Sequence, residues 1–160
     1  METKVLKKMA EYFGRDAKRI NHALKVYGFA EMITDGENLS EKDSMTVRIA
    51  AILHDIGIPE AERKHGSPAG KYQEMEGPAV AKGILEEFAL DEDTLARILH
   101  LIGNHHSYAK IDGPDFQVLV EADFLVNIFE DGMNRETIQK IKKNIFRTDT
   151  GNGLLLSMYL

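Results

Sequence analysis

Apolar residues recur at helical rather than alternating spacing along almost the whole chain, which leaves little from which a sheet could be built. Only four prolines interrupt this pattern, and there is no low-complexity run or internal repeat. The sequence therefore reads as all-α, a compact single-domain helical bundle over residues 1–160. Its 43% hydrophobic content is enough for one ordinary core. A short helix is expected near residues 3–13, and a second from about Asp16 to Ile33, before the turn-forming stretch Thr34-Asp35-Gly36-Glu37-Asn38. Ser40 can cap a third, whose buried stripe is Met45, Ile49, Ile52 and Ile56 and which Gly57 and Pro59 stop. Residues 58–72, rich in glycine, proline and charge, read as a long loop. Further helices are expected near 77–89, 92–106, 115–130 and 134–146.

Composition narrows the function classes. Cysteine is absent, which removes disulfides, cysteine zinc sites and thiol nucleophiles, so any metal must be held by the six histidines and by carboxylates. A formal charge of −6 argues against a nucleic-acid polymer as partner, because no general basic face is available to neutralise phosphates. A small anionic partner remains compatible with a local basic patch. The start, Met1-Glu-Thr-Lys-Val-Leu-Lys-Lys8, lacks the apolar run of a secretory signal, and no stretch approaches the ~20 apolar residues that span a bilayer. A cytoplasmic location without a membrane partner is expected, with the oligomeric state left open.

Residues 116–129, Phe-Gln-Val-Leu-Val-Glu-Ala-Asp-Phe-Leu-Val-Asn-Ile-Phe, make a helix apolar on most of its circumference, with Leu119, Asp123 and Val126 on one face. Burying a lone carboxylate costs on the order of several kcal/mol, so Asp123 must be protonated, paired with a cation or bound to metal. A structural salt bridge is the ordinary reading. His22 lies on another apolar stripe with Val26, Phe29 and Ile33, where a core histidine satisfied by one hydrogen bond is equally ordinary. In Ala50-Ala-Ile-Leu-His-Asp-Ile-Gly57 the polar pair His54-Asp55 interrupts an apolar helix within a turn of its end. Adjacent helical residues do not face each other, but both can reach one ion where Gly57 releases the backbone; the alternative is a local cap. Two histidines and two carboxylates on three apolar helices nonetheless form a suitable nitrogen and oxygen set for one divalent ion.

This ordered pattern, His22, then His54-Asp55 within Leu-His-Asp-Ile-Gly, then Asp123 within Glu-Ala-Asp-Phe-Leu, resembles the HD-domain superfamily of metal-dependent phosphohydrolases over roughly residues 20–130. The resemblance implies a helical bundle of that fold and a divalent metal on His22, His54, Asp55 and Asp123. It also implies hydrolysis of a small phosphate ester or anhydride, most commonly a nucleotide. Many members carry two further histidines for a second metal or for the phosphate. Where the first might fall, this chain has Glu76, which shares a stripe with Val80 and Ile84 and could ligate or act as base. Helix capping near Pro78 explains Glu76 equally well. For the later one, His105 and His106 continue the buried face of Leu95, Ile98, Leu99 and Ile102, while His100 lies on the opposite, solvated side.

Asp55, Glu76 and His105 are thus the candidate catalytic residues, the last two also candidate ligands of a second metal. Arg63, Lys64 and Lys71 form a local positive cluster that, with His106, could hold a substrate phosphate; solvated loop charges are the plain alternative. The segment Gly66-Ser-Pro-Ala-Gly-Lys71, followed by Tyr72, is not a P-loop. Two other functional readings stand beside phosphohydrolysis. One is di-iron oxygen chemistry of the kind some members perform. The other is a non-catalytic regulatory module that keeps metal or nucleotide, with the apolar end Gly153–Leu160 docking a partner or packing on its own chain.

Overall fold

A computed structural model describes all 160 residues as nine α-helices and one short 3-10 turn, Tyr108–Lys110, with no strand. The helices are α1 (Glu2–Phe13), α2 (Ala17–Gly36), α3 (Glu41–Leu53), α4 (Ile58–His65), α5 (Gly70–Leu85), α6 (Glu92–Ile102), α7 (Pro114–Glu130), α8 (Arg135–Asn144) and α9 (Asp149–Tyr159). Their starts are fixed by local chemistry. Asp16, Ser40, Asp91, Asn134 and Thr148 each accept a hydrogen bond from the backbone N–H three residues on, which satisfies a donor that the first turn would leave unpaired.

α7 is the central helix. Phe116, Val118, Leu119, Val120, Ala122, Leu125, Val126 and Ile128 are all buried, as its nearly continuous apolar circumference requires. α2 packs along both α3 and α7, and α3 also packs on α6. A connected core of 30 buried residues draws on every helix except α4. The stripe expected on the third helix, Ile49, Ile52 and Ile56, is buried within it.

Several expected boundaries are corrected. α2 runs on through Thr34, Asp35 and Gly36, the first part of the expected turn, and α3 ends at Leu53, ahead of Ile56 and Gly57. Residues 58–72 are not one loop, because α4 occupies Ile58–His65. Proline in its first turn and Gly66 after its end, at φ +67°, are the start and stop of a short helix rather than loop punctuation. α5 begins at Gly70 and ends at Leu85, carrying Pro78 inside it, rather than running over 77–89. α6 stops at Ile102, so His105 and His106 stand on the turn that follows instead of on the helix. The apolar end of the chain is the helix α9: Leu155 is fully buried and the Tyr159 hydroxyl donates to the Leu125 carbonyl of α7, while Leu156 and Met158 remain exposed.

One close approach positions the site. A Cβ on Gly57, just after the His54-Asp55 doublet, would lie 2.6 Å from the Gly77 nitrogen and 2.7 Å from the Gln73 carbonyl oxygen. Only glycine lets α5 cross the turn at this distance. No helix is long and apolar enough to cross a membrane.

Candidate metal centre

His22 comes from α2, His54 and Asp55 from the turn that ends α3, and Asp123 from the middle of α7. The four meet on one spot. His22 Nε2 lies 3.2 Å from His54 Nε2, 3.2 Å from Asp123 Oδ1 and 3.4 Å from Asp55 Oδ2. His54 Nε2 lies 3.4 Å from Asp55 Oδ2 and 3.6 Å from Asp123 Oδ1. Ligand atoms sharing one ion at bonds of about 2.0–2.2 Å sit roughly 3.0–3.6 Å apart, so this spacing suits a single divalent cation.

The tautomers point the same way. His22 Nδ1 donates to Glu130 Oε1 at 2.9 Å, and His54 Nδ1 donates to the Ala51 carbonyl at 2.8 Å. With both Nδ1 hydrogens engaged, each Nε2 presents a lone pair to the other and to two carboxylates. Such a cluster needs a positive charge at its centre, either a proton or a metal ion. Burial opposes charge on His54, yet Asp55 and Asp123 outweigh it and hold its pKa well above the ordinary histidine value. His22 is raised as well, its Asp123 hydrogen bond and the two carboxylates overcoming burial and the nearby His54. Burial raises the carboxyls, but the histidines prevail and keep Asp55 and Asp123 well below the usual carboxylate range.

Asp55 faces two ways. Its Oδ1 lies 3.5 Å from His105 Nε2, and Asp55, His105 and His106 form a second group that could hold a metal ion. His105 Nδ1 donates to the Ile102 carbonyl at 2.8 Å, which leaves Nε2 buried and without a hydrogen-bond partner. That orphaned lone pair beside a carboxylate fits a ligand or a proton acceptor. Burial, reinforced by His105, pushes His106 down to about 4, so it is neutral at physiological pH. Its Nε2–H donates to Gln73 Oε1 at 2.9 Å while the Gln73 amide donates to the Pro68 carbonyl at 2.7 Å, an arrangement that fixes both side chains. Glu74 holds the same turn by accepting from the His106 backbone N–H and the Ser107 hydroxyl.

Not every residue expected at the site is there. Glu76 stands outside both groups and accepts from Lys64 at 2.8 Å and from His65 at 3.2 Å, charges that lower its pKa. Arg63 is clasped by Glu60 at 2.7 Å, and Lys71 lies over the Tyr72 ring at 4.7 Å. The three cations therefore decorate α4 and the start of α5 rather than the centre. His100 lies beside Asp112, away from both groups.

A polar cavity of about 360 Å³ opens onto His22 and Asp55, and its cations are Lys18 and Arg19 at the start of α2. Asn127, Glu130 and Asp131 line it from the end of α7, with Gln73 and Pro68 from α5 and the segment before it. Glu130, Asn127, Gln73 and the two α2 cations were not singled out from sequence. Only Lys18 and Arg19, one turn before His22 on its helix, carried a readable signal. A separate, apolar groove of about 350 Å³ between α2, α7 and α9 contains no residue of either group.

Comparison with known proteins agrees with this architecture. A crystal structure described as that of a predicted HD superfamily hydrolase, from an uncultured Thermotogales bacterium, superposes with a TM-score of 0.72. Identity is 24%, over 98% of this chain and 84% of that one, and the likeness is one of fold. No curated protein matches the chain. The family model of the HD domain matches residues 19–146, a span that contains His22, His54, Asp55, His105, His106 and Asp123. The chain belongs to the HD domain family.

Proposed function

We propose that this protein is a metal-dependent hydrolase of a small phosphate ester or anhydride. The observation that carries the reading is the meeting of two Nε2 lone pairs and two carboxylates at mutual distances of 3.2–3.6 Å, at the floor of a cavity supplied with Lys18 and Arg19.

His22, His54, Asp55 and Asp123 would hold a divalent cation. When bound, it would polarise a phosphoryl oxygen and lower the pKa of a water. The chain's own groups do the rest. Glu130 and the Ala51 carbonyl lock the two imidazoles with Nε2 unprotonated toward the centre. Lys18 has no acidic partner and can meet a phosphate, while Arg19 is already held by Asp16 at 2.9 Å and by Glu62. His105 Nε2, unpartnered and 3.5 Å from Asp55, is placed to accept or pass a proton. If a second cation binds, Asp55, His105 and His106 are its donor set, which replaces the expected pairing of Glu76 with His105.

The di-iron oxygenase reading loses the support that Glu76 gave it. The regulatory reading loses part of its docking segment, since α9 is packed on α7 through Leu155 and Tyr159.

Elemental analysis of freshly purified protein, together with turnover on a panel of phosphate esters and anhydrides, tests the proposal. At least one equivalent of divalent metal is expected, lost in Asp123→Asn, with hydrolysis that a chelator abolishes. Protein that binds no divalent metal on reconstitution, or that binds metal and hydrolyses nothing on the panel, overturns it.

A further inference from the structure

The walls of the polar cavity differ at its two ends, and that difference bears on what the substrate is apart from its phosphate. At the α2 end stand Lys18 and Arg19, the only cations in the lining. At the α7 end stand Asn127, Glu130 and Asp131. The Asn127 amide donates to Asp123 Oδ1 at 2.9 Å, so its own carbonyl oxygen is left as an unused acceptor. Glu130 uses Oε1 for both His22 and Lys25, at 2.9 and 3.2 Å, and Oε2 is unused. Asp131 makes no side-chain hydrogen bond or ion pair. This end therefore offers several acceptors against a single free donor, the second N–H of the Asn127 amide whose first is committed to Asp123.

The lining holds no phenylalanine, tyrosine or tryptophan; its one ring is the His22 imidazole, whose nitrogens are turned to Glu130 and to the candidate metal centre, and Ile58 is its single hydrophobic residue. A nucleobase gains much of its binding by stacking on an aromatic or guanidinium plane. The lone guanidinium here, Arg19, is tied by Asp16 and Glu62. Tyr72, the nearest tyrosine in sequence, lies outside the lining, with one face stacked on His65 at 4.2 Å and Lys71 over its ring.

We infer that the substrate is a small phosphomonoester whose non-phosphate end is rich in hydrogen-bond donors, hydroxyl or ammonium, rather than a nucleotide. The inference rests on the phosphohydrolase reading of this site and narrows it. Phosphate sits toward Lys18 and the candidate metal centre; hydroxyls or an ammonium donate to Asp131, Glu130 and the Asn127 carbonyl. A ligand that offers donors to these charged acceptors binds more tightly than one that offers none, which sets the direction of selectivity.

Equilibrium binding separates this inference from the reading beneath it, because it does not require turnover. Protein reconstituted with manganese is titrated calorimetrically with glycerol 2-phosphate, O-phosphoethanolamine, AMP and phenyl phosphate, and hydrolysis of each is followed in parallel. Glycerol 2-phosphate or O-phosphoethanolamine is expected to bind at least about tenfold more tightly than AMP and phenyl phosphate, and the order of the first two distinguishes hydroxyl from ammonium recognition. Asp131→Leu, a surface change, is expected to collapse that preference toward unity. Equal or tighter binding of AMP or phenyl phosphate, or a preference that survives Asp131→Leu, overturns the inference even if hydrolysis stands. Failure to bind manganese or to hydrolyse any of the four removes the phosphohydrolase reading and this inference with it.

Discussion

Glu130 shows how much of the centre depends on residues that touch no ligand position. It accepts the Nδ1 hydrogen of His22 and so decides which nitrogen faces His54 and Asp123. Glu130→Ala frees the ring to rotate and to change tautomer, and metal affinity is expected to fall by roughly 10–100-fold while the helical circular dichroism is unchanged. A metal titration that gives parent-like affinity would remove Glu130 from the assembly. Sequence alone could not have picked this residue. An acidic side chain at a helix end reads as solvated, and only the fold brings Glu130 to a histidine 108 positions away. Asp123 was legible for the opposite reason, because a carboxylate on an otherwise apolar circumference demands a partner wherever the helix goes. Gln73 escaped notice because an amide carries no charge to balance. Its role exists only through the two hydrogen bonds it makes at once, to His106 and to Pro68.

At the scale of the helices, the approach of α5 to the end of α3 is the most exacting contact. Gly57→Ala places a Cβ 2.6 Å from the Gly77 nitrogen, and backbone cannot yield as a flexible side chain would. Overpacking of this kind costs about 1–3 kcal/mol, so thermal denaturation should show a lowered Tm. The displaced doublet should also bind metal less tightly, whereas Gly83→Ala, inside α5 where nothing lies within 4 Å, should leave metal affinity unchanged and not lower Tm. A Gly57→Ala protein with normal Tm and metal affinity would contradict the geometry. The helix cap at Ser40 was readable because a serine preceded an apolar-periodic segment, and the structure shows the same device at Asp91. α4 was not, since it is short, strongly charged and bounded by Pro59 and Gly66, signals that mark a loop and a one-to-two-turn helix alike. The misplaced start of α5 follows from the same ambiguity, with Gly70 and Pro78 both inside the helix.

For the molecule as a whole, the centre ties stability to pH in opposite senses with and without metal. In metal-free protein the raised pKa values of His22 and His54 contribute stability that is fully present below the ordinary histidine value and is lost as pH rises through their folded values. The depressed Asp55 and Asp123 contribute stability that is present above the ordinary carboxylate value and is lost as pH falls through theirs. Metal-free protein should therefore be most stable between about pH 4 and 6.5 and decline above it. Metal requires neutral imidazoles, so the Tm difference between metal-loaded and chelator-treated protein should widen from about pH 6 to 8. A difference that stays constant would mean that no proton holds the metal's place. Leu155→Ala offers a check on the outer layer of the bundle. Truncating this fully buried side chain should cost about 2–5 kcal/mol, read from denaturant unfolding, if α9 is part of the cooperative unit.

The candidate ligands sit on the seams that α2 makes with α3 and with α7, and core packing surrounds those seams. A cage framed by the core in this way predicts that capture of an ion is an encounter rather than a folding step. Backbone amides of α2, α3 and α7 should be among the slowest to exchange with deuterium in stripped protein too, and uptake of metal should follow second-order kinetics limited by entry through the polar cavity.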